Sequence, residues 1–299
     1  MKSIERPQIL AIGALTVLAI AWGAIPLFVR NDVPSIQLVG VRVTFGAMAL
    51  VGVAAALRRL TIPKVRRGRL VLSGILLALH WVTFFESIKL TTVAVALAVL
   101  YLGPIAASIL AGPILGERVD RKLWIALAIA MGGTLLVVQP WQTEGVEPAG
   151  LAMAALSAAL FTGVMLAGKP VAIDLGGLTM ATGELIVASV LLAPATYQAL
   201  TQHGEHLVNF IILGALFTGL AGFVFWEVMR HVPVAAVSVV MYLEPASAVV
   251  WAAIFLGETP NLTAWAGVVL VIVGGMVAAT ATAISPGGEQ EAIGAQTAL

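Results

Sequence analysis

The segment Tyr101-Leu102-Gly103-Pro104 and the Gly116-Glu117 pair that follows it return 141 residues later as Tyr242-Leu243-Glu244-Pro245 and Gly257-Glu258. Without a gap, residues 84–124 overlay residues 225–265, and 14 of those 41 pairs are identical. The matches include Phe84/Phe225, Glu86/Glu227, Tyr101/Tyr242, Pro104/Pro245, Glu117/Glu258 and Trp124/Trp265. Glu, Tyr, Pro and Trp are scarce here, so their agreement at a single offset marks a duplication and not merely shared apolar composition. The chain must fold as two copies of one unit.

The solvent of that unit follows from composition. Of 299 residues, 60% are hydrophobic and 10% charged, with mean hydropathy +1.04. A soluble domain carries about 25% charged residues, and no soluble fold of this size could hide so much apolar surface. The partner of the outer surface is therefore the lipid bilayer. Ten apolar runs are long enough to span it, or nearly so: 8–29, 35–57, 69–88, 92–115, 122–139, 149–168, 177–199, 207–229, 234–256 and 263–284. The predicted fold class is an all-α integral membrane protein with ten transmembrane helices. Its first five-helix repeat covers 1–140 and its second 141–284, and a polar, Gly-rich cytoplasmic tail over 285–299 is expected to lack fixed structure. The first run, behind Lys2 and Arg6, reads as an uncleaved helix.

Lys and Arg set the orientation. With the N-terminus in the cytoplasm, thirteen of the sixteen lie on the inner side, Arg30 and Lys89 lie outside, and Arg42 lies within a span. Both termini are then cytoplasmic. The 141-residue period covers five helices, an odd number, so the second copy enters the membrane upside down. Two inverted five-helix repeats are a plan that secondary transporters use to open alternately to either side.

About ten residues carry a helix to the bilayer middle. His80, Tyr101, Tyr242 and Glu244 reach that depth, where transporters bind substrate. Glu244 is either a buried structural carboxylate or a cavity group that meets a substrate amine or a proton. Its repeat mate is Gly103, which offers space. His80 is either a proton carrier or a hydrogen-bonded core side chain. Pro104 and Pro245 each free a carbonyl one turn back and kink their helices. The aromatics Trp22, Trp81, Phe84, Tyr101, Phe161, Trp226 and Tyr242 either pack or wall a pocket for an apolar or aromatic solute. The expected walls are the first, third, fourth, sixth, eighth and ninth helices.

Arg42 and Glu184, near repeat mates, fall about 10 Å apart in depth. They either snorkel or pair locally, or serve a gate or the substrate. Glu117 and Glu258 either cap loops or hold a gate closed, while Glu86 and Glu227 are placed to pair with Lys89 and Arg230. Ser108, Gly112 and Gly116 line one helix face at a spacing that lets a neighbour approach closely.

No Walker motif, nucleophile elbow or His-Glu-x-x-His stretch is present, and there is no Cys. The expectation is therefore a carrier and not an enzyme, with no cofactor, no metal and no nucleic-acid partner. With one deep Arg and no deep Lys, a phosphorylated solute is disfavoured. A neutral, zwitterionic or cationic small molecule is expected.

Two five-helix halves, each with Pro in its fourth helix and ending Leu115-Gly116-Glu117 or Leu256-Gly257-Glu258, resemble the EamA family of the drug/metabolite transporter superfamily, as does Trp22-Gly23 in the first helix. The resemblance covers residues 8 to about 284. It implies export of amino acids or related metabolites across the bacterial inner membrane, and a monomer or weak homodimer is expected. The aromatic-amino-acid exporters of the YddG type are the suggested kind. It also implies Trp22, His80, Tyr101, Phe161 and Tyr242 as cavity residues. Gly103 and Glu244 depart from that pattern. Export of drugs or organic cations is the alternative, ahead of a channel or an intramembrane enzyme.

Overall fold

The computed structural model describes residues 6–25, 33–61, 63–142, 146–257 and 259–282; Arg30, Glu258 and the tail lie outside them. The described chain is helical throughout, without strands. In the first half, α1 is Arg6–Trp22, α2 Ser35–Ala56, α3 Arg67–Leu90, α4 Val93–Leu100, α5 Leu102–Leu115 and α6 Arg121–Val138. In the second, α7 is Pro148–Leu175, α8 Gly177–Leu191, α9 Ala193–Gln202, α10 Leu207–Gly214, α11 Ala221–Met229, α12 Val234–Met241, α13 Leu243–Leu256 and α14 Leu262–Thr282. Seven helical segments are long and apolar enough to cross a membrane, with α4–α5 and α12–α13 each counted as one, and eight if the bent pair α8–α9 is a single span. Two shorter apolar helices lie at Leu10–Trp22 and Leu262–Ala278.

Several expected runs are interrupted, and proline chemistry accounts for the breaks. Helix α4 stops at Leu100 and α5 starts at Leu102; α12 stops at Met241 and α13 starts at Leu243. Pro104 and Pro245 lack the N–H that would bond to the carbonyl four residues back, and their rings crowd that carbonyl. In the same way Pro194 opens α9 after a 72° bend from α8. A π-helical turn, Ala215–Leu220, joins α10 to α11.

The two halves share their end signals. Gly116 and Gly257 close α5 and α13 at φ +74° and +66°, left-handed conformations that glycine adopts without a Cβ penalty. Asp120 and Asn261 then cap α6 and α14, accepting from Lys122 N at 2.7 Å and Ala264 N at 2.9 Å.

The packing of α6 on α14 is closest at glycines. A Cβ on Gly133 would lie 2.8 Å from Gly267 O, one on Gly267 would lie 2.5 Å from Gly133 O, and one on Gly274 would lie 3.0 Å from Ala126 O. As residue numbers rise on one helix they fall on the other, so the two run antiparallel. Adding 141 turns Gly133 into Gly274 and Ala126 into Gly267, so one contact maps onto the other. Elsewhere α3 packs on α7 and α8, α5 on α7 and α12, and α2 on α8, α9 and the π turn.

This crossing predicts that Gly133→Leu and Gly267→Leu lower stability in detergent by about 1–3 kcal/mol or more, through overpacking. Gly132→Leu, at a position open on all sides, should leave the melting temperature unchanged. Equal melting temperatures for all three variants would reject this account of the crossing.

Candidate substrate cavity

The two broken helices meet at their breaks. Pro245 leaves Met241 O without its helical donor, and the Tyr101 hydroxyl supplies one at 3.1 Å. The Tyr242 hydroxyl returns the favour, donating to Tyr101 O at 2.7 Å. The rings lie 4.9 Å apart. Ser108 and Ser238 close the seam, each donating to Pro104 O, at 2.8 and 3.0 Å. The Tyr101 hydroxyl shares its one hydrogen with Glu244 Oε2, 3.0 Å away, which aims that carboxylate into a cavity between the halves.

The cavity measures about 920 Å³, within the roughly 300–1,000 Å³ usual for small-molecule sites. Its walls are largely apolar and aromatic. Trp22, His80, Phe84, Tyr101, Phe161 and Glu244 line it. Gly103 and Tyr242 do not. A Cβ on Gly103 would sit 2.7 Å from Ala158 O, and Thr162 donates to Gly103 O at 3.0 Å, so the missing side chain admits α7 and not a ligand. Tyr242 is wholly buried behind the wall.

His80 is held by its Nδ1, 3.0 Å from Ser157 O. The Ser157 hydroxyl oxygen lies 2.9 Å from the same nitrogen and donates to His80 O at 3.0 Å. The ring stacks on Phe161 at 4.9 Å.

Arg42 is only 2% exposed and lines the cavity, so it does not snorkel. Its guanidinium carbon lies 4.8 Å from the Trp81 ring and 5.3 Å from the Phe85 ring. Its Nε donates to Thr218 Oγ1 at 3.2 Å. The π turn explains why Thr218 is in place, for its hydroxyl donates to Leu213 O, five residues back, at 2.8 Å. The same turn presents Phe217 O to Trp22 Nε1 at 3.1 Å. Gly46, Gly214 and Gly219 let α2 close on this turn. Glu184 also reaches the cavity but is tied down, accepting from Trp226 Nε1 at 2.7 Å and from the Ser73 hydroxyl. The second, fifth and seventh predicted spans, through Arg42, Gln139 and Glu184, thus join the expected walls. Arg42 and Thr218 are cavity groups that depth counting did not select. The one signal available was that Arg42 is the single Arg inside a span.

The cavity lining runs out to one end of the helices, at the C-termini of α1, α3 and α6 and the turn before α14. Gln139 and Asn261 exchange two amide hydrogen bonds there, at 2.8 and 3.0 Å. Lys89 donates to Val33 O at 3.2 Å and does not turn to Glu86. The opposite end is sealed by polar contacts. Glu117 pairs with Lys169, both nearly buried, and accepts from Val234 N at 2.8 Å. Lys169 donates to Val232 O at 2.8 Å. Glu227 pairs with Arg230 at 2.5 Å and accepts from Gly177 N at 3.0 Å, while Arg66 meets Asp174 at 2.6 Å. Glu117 thus ties the ends of α5 and α7 to the turn between α11 and α12. Glu258, its repeat mate, lies outside the described residues.

Comparison with known proteins matches the two halves separately to one family model, that of the EamA-like transporter family, over residues 7–139 and 148–280. The chain is 27% identical over 217 residues to the uncharacterized transporter YwfM of Bacillus subtilis, across 70% of this chain and 72% of that protein. It is 27% identical over 207 residues to the threonine/homoserine exporter RhtA of Escherichia coli K12, across 67% of each. A protein of known crystal structure shares the fold, with TM-score 0.77 at 18% identity over 90% of this chain and 98% of its own.

Tyr101→Phe removes the donor to Met241 O and to Glu244. It should cost about 1–3 kcal/mol, the penalty of a buried acceptor left without a partner. Thermal unfolding in detergent measures this. An unchanged midpoint would mean that the proline-freed carbonyl has another donor.

Proposed function

The chain belongs to the EamA-like transporter family, and on that premise we propose that it exports amino acids or closely related small metabolites by alternating access. The observation that carries the reading is one aromatic-walled cavity, placed where the two broken helices cross, open at one end and sealed by ion pairs at the other. In a largely apolar and aromatic lining it holds the Arg42 guanidinium and the Glu244 carboxylate, while Glu184 and Lys89, also in the lining, are bonded to protein groups; this composition suits a small zwitterion with an apolar body. The likeness to a threonine/homoserine exporter points the same way. Organic cations are the weaker reading, because Arg42 faces the same space.

In this proposal the seven long helical segments, the bent pair and the two shorter helices are ten spans, arranged as repeats over 1–140 and 141–284. The antiparallel, offset-exchanging contact of α6 with α14 supports the inversion. The sealed end carries Arg58, Arg59, Arg66, Arg67, Arg118 and Arg121, so it is the cytoplasmic face of an inner-membrane protein with both termini inside, and the mouth faces outward. One chain supplies every wall of the cavity, so a monomer suffices.

Two experiments test this. Proteoliposomes should show saturable counterflow of at least one of radiolabelled threonine, methionine, phenylalanine and lysine; transport of none of them would reject the substrate class. The chain has no cysteine, so single cysteines report topology directly. Gln142→Cys at the mouth should react with a membrane-impermeant maleimide added to whole cells, and Arg118→Cys only after the membrane is opened. The reverse pattern would invert the orientation.

A further inference from the structure

We infer that Arg42 is the carboxylate anchor of the cavity, with Glu244 and the Tyr101 hydroxyl receiving the substrate amine across from it. The transported species would then have to carry both an α-carboxylate and an α-amine. This rests on the reading of the protein as an amino-acid exporter.

The argument begins with what Arg42 lacks. A guanidinium has five N–H donors, and one of them, on Nε, is used by Thr218. Among the described residues no acceptor meets the two Nη groups, and no carboxylate lies within ion-pair distance. A buried cation inside a membrane protein is costly unless it is paired or faces a polar cavity. Trp81 and Phe85 hold the guanidinium plane by their faces, which fixes its direction without satisfying its N–H groups. The pair of Nη donors is the fork that carboxylates accept in bidentate fashion, and a lysine could not reproduce it.

Glu244 supplies the second pole. One of its oxygens takes the Tyr101 hydroxyl, and the other has no protein donor among the described residues. Arg42 and Glu244 lie near enough for their charges to interact through space, yet they do not touch. Two opposite charges lining one apolar cavity without meeting make a space that a dipolar molecule completes. Its carboxylate would occupy Arg42 and its ammonium Glu244, and its side chain would lie against the aromatic walls. Glu184 does not compete for the guanidinium, because Ser73 and Trp226 hold both of its oxygens.

The test uses full-length protein in proteoliposomes and competition against counterflow of radiolabelled threonine and phenylalanine. L-Threonine amide and L-phenylalanine amide keep the amine and lose the carboxylate. 3-Hydroxybutyrate and 3-phenylpropionate keep the carboxylate and lose the amine. Each should compete about 10- to 100-fold less well than the parent amino acid, the factor expected for one charged hydrogen-bonded pole. Arg42→Gln should lose a similar factor in apparent affinity for the parent, Arg42→Lys less, and Glu244→Gln should lose selectivity against the amine-free acids. The competition arm uses wild-type protein, so it stands even if a variant fails to fold. If wild type carries an amino acid and its amide competes equally, or if Arg42→Gln carries it unchanged, the anchor assignment is wrong while the exporter reading stands. If wild type carries no amino acid, both fall.

Discussion

Everything in this structure depends on how two proline-broken helices satisfy their backbone inside lipid. The bilayer offers no water to a carbonyl whose N–H partner has been removed. At the second break the chain answers with a tyrosine from the first, and a second tyrosine ties the two breaks together. Tyr101 of one copy donates to Met241 O of the other, and Tyr242 donates to Tyr101 O. Neither half can meet this need alone, so the pair of bonds brings the two breaks to one depth. The cavity lies where it does because the breaks open the helices there, and Glu244 points into it because the same hydroxyl that heals the backbone also holds the carboxylate.

The cavity charge is placed by a second backbone irregularity. The π turn at Ala215–Leu220 turns Thr218 toward Arg42 and Phe217 O toward Trp22. Glycines on α2 and around the turn allow the approach, and two aromatic faces restrain the guanidinium. The polar groups of the sealed end differ in kind. Glu117, Lys169 and the main chain at Val232 and Val234 satisfy one another, so they stabilise closure and leave nothing for a ligand.

Much of this was legible in the residues. The duplication and the all-helical membrane class follow from an offset and an apolar composition. Other features were not legible because they depend on contacts between distant segments. Gly103 reads as space beside its mate Glu244, but the space is taken by the main chain of Ala158. Tyr242 lies at cavity depth yet points into the seam, since depth says nothing of azimuth. Arg42 reads as snorkelling because the π turn that receives it leaves no mark in the local composition of 215–220. The Glu117–Lys169 pair joins residues 52 apart on helices whose adjacency no periodicity reveals.

The central claim is that the mouth and the sealed end are alternatives of one mechanism. Distance measurement by pulsed electron resonance tests it directly, with spin labels in two double-cysteine variants. Lys89→Cys with Asn261→Cys spans the mouth, and Arg118→Cys with Asp174→Cys spans the sealed end. On adding saturating threonine or phenylalanine, the account predicts a population in which the mouth distance shortens while the sealed-end distance lengthens. Distances that stay fixed at both ends, or that move in the same direction, would contradict it.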